Sequence, residues 1–213
     1  MKRNTRGMLV TILTLGAGLG LAACGNDDSA QPGGSSSSMP GMDHSTMNPT
    51  TAATNTAPVD HNDADVAFAT SMIPHHQQAV EMADQALKKA TNAQVKQLAT
   101  AIKAAQAPEI QEMSAWLTGW GKMVPTPGMG HSMGSGKGMM TEEEMAALGK
   151  ATGAAFDKMW VQMMIKHHQG AVAMAKLEQT SGQSMKSKEL AKTIETGQTA
   201  EIATMQKLLA TLP

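Results

Sequence analysis

The chain of 213 residues has one cysteine, no tyrosine, two phenylalanines and three tryptophans. A single thiol forms no internal disulfide, so in an oxidising compartment the fold must be held by packing alone. With so few rings, that packing rests on Ala, Leu, Ile, Val and the 20 methionines. Charge of one sign is also lacking. There are 17 basic and 18 acidic side chains, a formal net charge of −1, and nothing in their distribution suits nucleic acid. No apolar run is long enough to span a bilayer. The stretch from Met8 to Ala23 follows Lys2, Arg3 and Arg6, is broken by glycines and ends in Leu21-Ala22-Ala23-Cys24. A basic start, a short apolar middle and small residues before the cut are the layout of a secretory signal over residues 1–23.

The setting of Cys24 resembles the lipobox at which bacterial lipoproteins are cut and acylated. This implies a lipid anchor at Cys24 on the outer face of the cell membrane. Residues 24–59 are Ser, Gly, Pro, Thr, Asn and Ala with almost no branched apolar side chains. Such a segment cannot bury enough surface to offset its ordering entropy and reads as a flexible tether, which spans about 30 Å as a coil. A second Gly- and Met-rich stretch, residues 119–140, divides the remaining domain, 60–213, into repeats at 60–118 and 141–213.

What the chain does have is a repeated phrase. Met72-x-x-His75-His76 returns 92 positions later as Met164-x-x-His167-His168, each followed by a further methionine, Met82 and Met174. Four of the seven histidines lie in these phrases. The register continues through Leu98/Leu190, Ile102/Ile194, Gln106/Gln198, Glu109/Glu201, Ile110/Ile202 and Met113/Met205, which marks a duplicated unit. Start and stop signals place four helices. The first starts at Asn62 or Asp63 and runs to about Lys89, and the second follows Thr91-Asn92 and ends near Gly119. The third opens on the Thr141/Glu144 capping box and stops at Ser181-Gly182. The fourth runs from about Ser187 almost to Pro213.

At about 100° per residue, Phe68, Met72, His75, His76, Ala79, Met82 and Ala83 share roughly a third of the helical wheel, as do Trp160, Met164, His167, His168, Ala171, Met174 and Ala175. On the second helix Leu98, Ile102, Glu109, Met113 and Trp116 share a stripe in the same way. One hairpin leaves its stripe uncovered and two can close on each other, so the expected fold is an all-α four-helix bundle of two duplicated hairpins.

The same stripes carry the candidate chemistry. Glu109 and Glu201 stand among apolar residues, where an unpaired carboxylate costs several kcal/mol. Inward histidines are the available partners. Each glutamate then ligates a metal, orients a ligating histidine, or forms a purely structural Glu-His pair. Met72 lies at i+3 and i+4 from His75 and His76, a spacing that places one thioether beside the imidazoles. Soft thioether selects Cu(I), and imidazole serves either copper state. The core ligands expected are Met72, His75, His76, Met164, His167 and His168, with Met82, Met113, Met174 and Met205 as a secondary sulfur set. Met42, His44 and Met47 in the tether and Met129, His131 and Met133 in the linker, which continues to Met139-Met140, are expected as auxiliary metal sites. A disordered segment has no core for methionine to fill.

Met72-Ile73-Pro74-His75-His76-Gln77-Gln78-Ala79-Val80-Glu81-Met82-Ala83 and Met164-Ile165-Lys166-His167-His168-Gln169-Gly170-Ala171-Val172-Ala173-Met174-Ala175 resemble the signature of the bacterial "domain of unknown function 305" family. The resemblance covers about Asp60 to Leu212. It implies a ferritin-like four-helix fold, export and, for some members, copper binding, with no established enzymatic activity. The reading is therefore an extracytoplasmic, lipid-anchored protein that sequesters or buffers copper, Cu(I) before Cu(II), with no catalytic residue assigned and a copper-transfer partner left open. Two alternatives stand beside it. A ferritin-like di-metal oxidase or peroxidase needs Glu-x-x-His, whereas Met or Ile stands three residues before each of these histidines. The other is a metal-independent surface interaction module.

Overall fold

The computed structural model describes residues 60–126 and 138–213. The secretory signal, Cys24, the tether ligands Met42, His44 and Met47 and the linker ligands Met129, His131 and Met133 lie outside the described residues. The described residues form five helices: α1 Asp63–Lys89, α2 Ala93–Gly119, α3 Glu142–Lys150, α4 Gly153–Ser181 and α5 Met185–Leu209. Among the described residues there is no strand, and no helix is long and apolar enough to cross a membrane.

The helix starts follow the capping residues. The Asn62 side chain accepts from the N–H groups of Ala64 and Asp65, and the Asn92 side chain accepts from those of Gln94 and Val95. These bonds satisfy backbone donors that the first turn leaves open. Thr141 and Glu144 form the capping box reciprocally. One expectation fails. The segment expected as a single helix from Thr141 to Ser181-Gly182 is two helices, because Ala151 and Thr152 take extended backbone and Gly153 has φ +59°. That left-handed conformation suits glycine and ends the helical run, so α4 starts afresh. Pro74 and Pro108 lie within α1 and α2, which remain continuous elements.

α1 pairs with α2 and α4 with α5 as two hairpins, and α1 packs on α4 across the repeats. Trp160 on α4 donates from Nε1 to the Met82 carbonyl on α1 at 2.8 Å. By contrast, α2 and α5 touch sparingly, and a groove lined by Gln97, Leu98, Thr204 and Leu208 lies between them. The interior forms two hydrophobic clusters. One holds Met82, Met164 and Met205 with Trp160, Phe156, Ile102 and Leu148; the other holds Met72, Met113 and Met174 with Phe68, Ile73, Leu117 and Ile194. Each methionine of one set is the 92-residue counterpart of a methionine in the other, so the duplication appears in the packing as a pseudo-two-fold.

Candidate metal centre

α1 and α4 bring the repeated phrases together at their crossing. His75 and His167, equivalent residues of the two copies, face each other with ring centroids 3.7 Å apart and planes inclined by 40°. The pseudo-two-fold therefore passes between these two rings. His76 and His168 turn the other way, toward the second helix of their own hairpin. His76 Nε2 lies 2.8 Å from Glu109 Oε2 and His168 Nε2 lies 2.7 Å from Glu201 Oε2. All four histidines are buried, and the two glutamates are part-exposed at the bundle's flank.

This geometry assigns the ring nitrogens. A carboxylate accepts, so Nε2 of His76 and His168 donates, and in the neutral ring Nδ1 then carries the lone pair. Both Nδ1 atoms are buried without a hydrogen-bond partner. Neither nitrogen of His167 has a hydrogen bond of normal geometry. Burial, reinforced by the neighbouring His75, His168 and His76, holds the His167 pKa well below the usual imidazole value, while a backbone contact from His75 acts weakly in the other direction. His167 is thus neutral, the form in which imidazole ligates a metal. On α2 and α5, three residues before each glutamate, the buried amides of Gln106 and Gln198 also have oxygen atoms with no partner. Native interiors rarely leave polar groups in this state.

Among the described residues no three His, Cys, Asp or Glu side chains converge as a metal-binding group. The donors gathered at the crossing are imidazole nitrogens and thioethers, not the carboxylate, carbonyl and water oxygens of a calcium or magnesium site. An ion held here would complete its shell with thioethers, and the donors present suit that: Met72, Met82, Met113, Met164, Met174 and Met205 are all buried. They do not form one ring of ligands, because they divide three and three between the two clusters.

Two further residues carry a sequence signal of the same kind without matching a ligand pattern. Asp65 and Asp157, also 92 apart, stand at the same wheel position among the apolar residues of α1 and α4, the anomaly that marks Glu109. Both are buried. Asp157 accepts from the Thr91 and Asn92 N–H groups and the Thr91 hydroxyl, and Asp65 accepts from the N–H groups of Gln183 and Ser184. They position the hairpins rather than bind a ligand. The linker also needs correction. Its last methionine, Met140, is not in an unpacked segment but is buried in the cluster with Met82, Met164 and Met205, so packing does account for this one.

Two equivalent Met-x-x-His-His phrases meeting on a pseudo-two-fold, each backed by a glutamate 33 residues on, agree with what sequence comparison finds: the family model "Domain of unknown function (DUF305)" matches residues 65–209. The chain belongs to the DUF305 family. A solved DUF305 protein from Streptomyces coelicolor, named as secreted, is 35% identical, with a TM-score of 0.62 over 69% of this chain and 91% of that one. A DUF305 fragment from Deinococcus radiodurans is 30% identical, with a TM-score of 0.65 over 71% of this chain and 98% of that one. CopM in its Cu(II)-bound form is 36% identical, with a TM-score of 0.61 over 68% of this chain and 95% of that one, and CopM has also been solved in a Cu(I)-bound form. No curated protein matches the chain.

In this DUF305 chain the two copies of the phrase differ where the linker returns. Lys166, opposite Pro74 in the repeat, pairs with Glu144 at 2.9 Å. Gln78, opposite Gly170, binds the Met140 backbone, donating to its carbonyl at 2.9 Å and accepting from its N–H at 2.7 Å.

Proposed function

We propose that this DUF305 protein is an extracytoplasmic, lipid-anchored copper-binding protein that sequesters or buffers copper through inward-facing histidine and methionine. The single observation that carries the reading is the central His75–His167 pair, flanked by His76 and His168 whose unpartnered Nδ1 atoms are set by Glu109 and Glu201. Imidazole lone pairs beside buried thioethers suit Cu(I) first and Cu(II) second. The copper-bound forms of CopM support copper as the ion. The naming of the Streptomyces relative as secreted supports the location. Copper is cargo in this reading, with Cys24 as the acylated anchor and the Met/His runs of tether and linker as weak auxiliary ligands.

The test is a titration of the chain from Cys24 onward with Cu(I), Cu(II) and Zn(II) against competing chelators. The expected order is Cu(I) tightest, with a large loss when His75, His76, His167 and His168 are all changed to Ala. Unaltered copper affinity in that variant contradicts the assignment.

A second reading has one observation in its favour. The Glu109 and Glu201 bonds give His76 and His168 a charged hydrogen-bond partner without any ion, as a purely structural pair would. In that case chelators leave the protein unchanged and the histidine variant loses stability to the same extent with and without copper.

A further inference from the structure

The six repeated methionines obey the pseudo-two-fold. Met82, Met164 and Met205 lie in one cluster and their counterparts Met174, Met72 and Met113 in the other. A bundle built only to that symmetry offers a soft ion two equal sulfur sites. The returning linker breaks the equality. Gly138–Met140 lies against both central helices and delivers Met140, 3% exposed, into the first cluster.

The docking is built from both sides. The Gln78 amide holds both polar groups of the Met140 backbone. Gly138 has φ +84°, and a Cβ there would stand 2.5 Å from the Lys166 carbonyl oxygen and 3.1 Å from the Gly170 backbone. Glycine is therefore required at 138 for its conformation and for its room. Gly170, buried, occupies the repeat position of Gln78: one copy supplies the amide that grips the strap, and the other supplies the space for it. The side chain inserted this way is a thioether, and His167 stands one turn from Met164 on the same helix face.

Resting on the soft-metal reading above, we propose that the two methionine clusters are unequal sites, and that a soft monovalent cation, Cu(I) or Ag(I), binds first among Met82, Met140, Met164 and Met205 and only later among Met72, Met113 and Met174. A buried cation must replace its hydration with neutral donors, so the cluster to which Met140 of the linker and Met145 of α3 are added holds it more tightly than the one with three methionines. In the chain's own terms the linker is part of the binding site and not only a connection between repeats.

Methionine methyl NMR of the full chain, labelled with 13C at the methyl carbon and titrated with redox-inert Ag(I), reads this directly. The methyls of Met82, Met140, Met164 and Met205 are expected to reach half-saturation at about tenfold lower Ag(I) than those of Met72, Met113 and Met174. In Met140→Leu, which conserves volume and leaves the backbone bonds to Gln78 in place, the separation between the two groups is expected to shrink. Parallel saturation in the wild type, or a separation that is unchanged in Met140→Leu, overturns the inference while leaving copper binding intact. If Met140→Leu does not fold, the wild-type order decides alone. If Ag(I) moves no core methyl at all, the soft-metal reading fails together with the inference.

Discussion

Asp157 and Asp65, equivalent residues of the two copies, each close the other copy's hairpin. Asp157 on α4 accepts from the Thr91 and Asn92 N–H groups at 3.1 and 2.9 Å and from the Thr91 hydroxyl at 2.5 Å, at the turn between α1 and α2. Asp65 on α1 accepts from the Gln183 and Ser184 N–H groups, both at 3.0 Å, at the turn between α4 and α5. Each first helix thus fixes the turn opposite to it, and this sets the axial register in which His75 meets His167.

Changing Asp157 to Asn keeps the shape but removes the charge and puts a donor against donors. Loss of a buried, charge-assisted acceptor is expected to lower stability by about 2 kcal/mol. Urea unfolding followed by circular dichroism checks this, and an unchanged midpoint would show that the turn does not depend on the carboxylate.

The second copy differs from the first beside Asp65. Glu178, Gly182 and Ser187 stand where the first copy has the buried apolar trio Ala86, Ala90 and Val95. The Ser187 hydroxyl bonds Glu178 at 2.5 Å, and a Cβ at 182 would collide with the Glu178 carboxyl. Burial, and then the hydrogen bond and charge of Asp65, push Glu178 up to about 7 despite Ser187 and Lys188. Burial also acts upward on Asp65, but hydrogen bonds from Glu178, Asn62, Gln183 and Ser184 outweigh it and leave its pKa lowered. Because the folded state holds the Glu178 proton more tightly than the unfolded chain, its stabilisation is complete below the ordinary carboxyl value of 4.5 and is lost as pH rises through about 7. Asp65 acts in the opposite sense, and its contribution is lost as pH falls below the usual carboxylate range. Stability is expected to fall by on the order of 3 kcal/mol between pH 5 and 8. Glu178→Gln should flatten that slope in denaturant midpoints measured across the range; a slope that persists in the variant would place the titration elsewhere.

Glu109→Gln and Glu201→Gln leave a hydrogen-bonding group beside His76 and His168 but no longer fix which nitrogen carries the proton. Outer partners of ligating histidines typically account for 10–100-fold in metal affinity. Each change is expected to weaken Cu(I) binding by about that factor with little effect on thermal stability, because both glutamates are part-exposed. A competition titration that finds affinity intact and stability reduced would make these pairs structural.

Much of this was legible because it repeats. The 92-residue offset and the wheel pick out the helix faces that are buried, and Asn62, Asn92 and Thr141 mark helix starts that the structure retains. What repeats without matching a ligand pattern, Asp65 and Asp157, carried the same signal as Glu109 but has a different role. What does not repeat could not be read in this way. The Glu178–Gly182–Ser187 trio has only apolar counterparts, and the break at Ala151–Gly153 rests on the backbone conformation of three residues. Met140 sits in a segment whose composition reads as unpacked, and its burial depends on Gln78 and Gly170, residues that differ between the copies and acquire a role only when the linker folds back.

X-ray absorption at the copper edge, on the full chain loaded with one equivalent of Cu(I), tests the central claim most directly. A shell containing both imidazole nitrogen and thioether sulfur, which loses its nitrogen when His75, His76, His167 and His168 are changed to Ala, is the predicted result. A shell without imidazole nitrogen, identical in the wild type and the histidine variant, would show that the four histidines do not ligate copper and contradict the account.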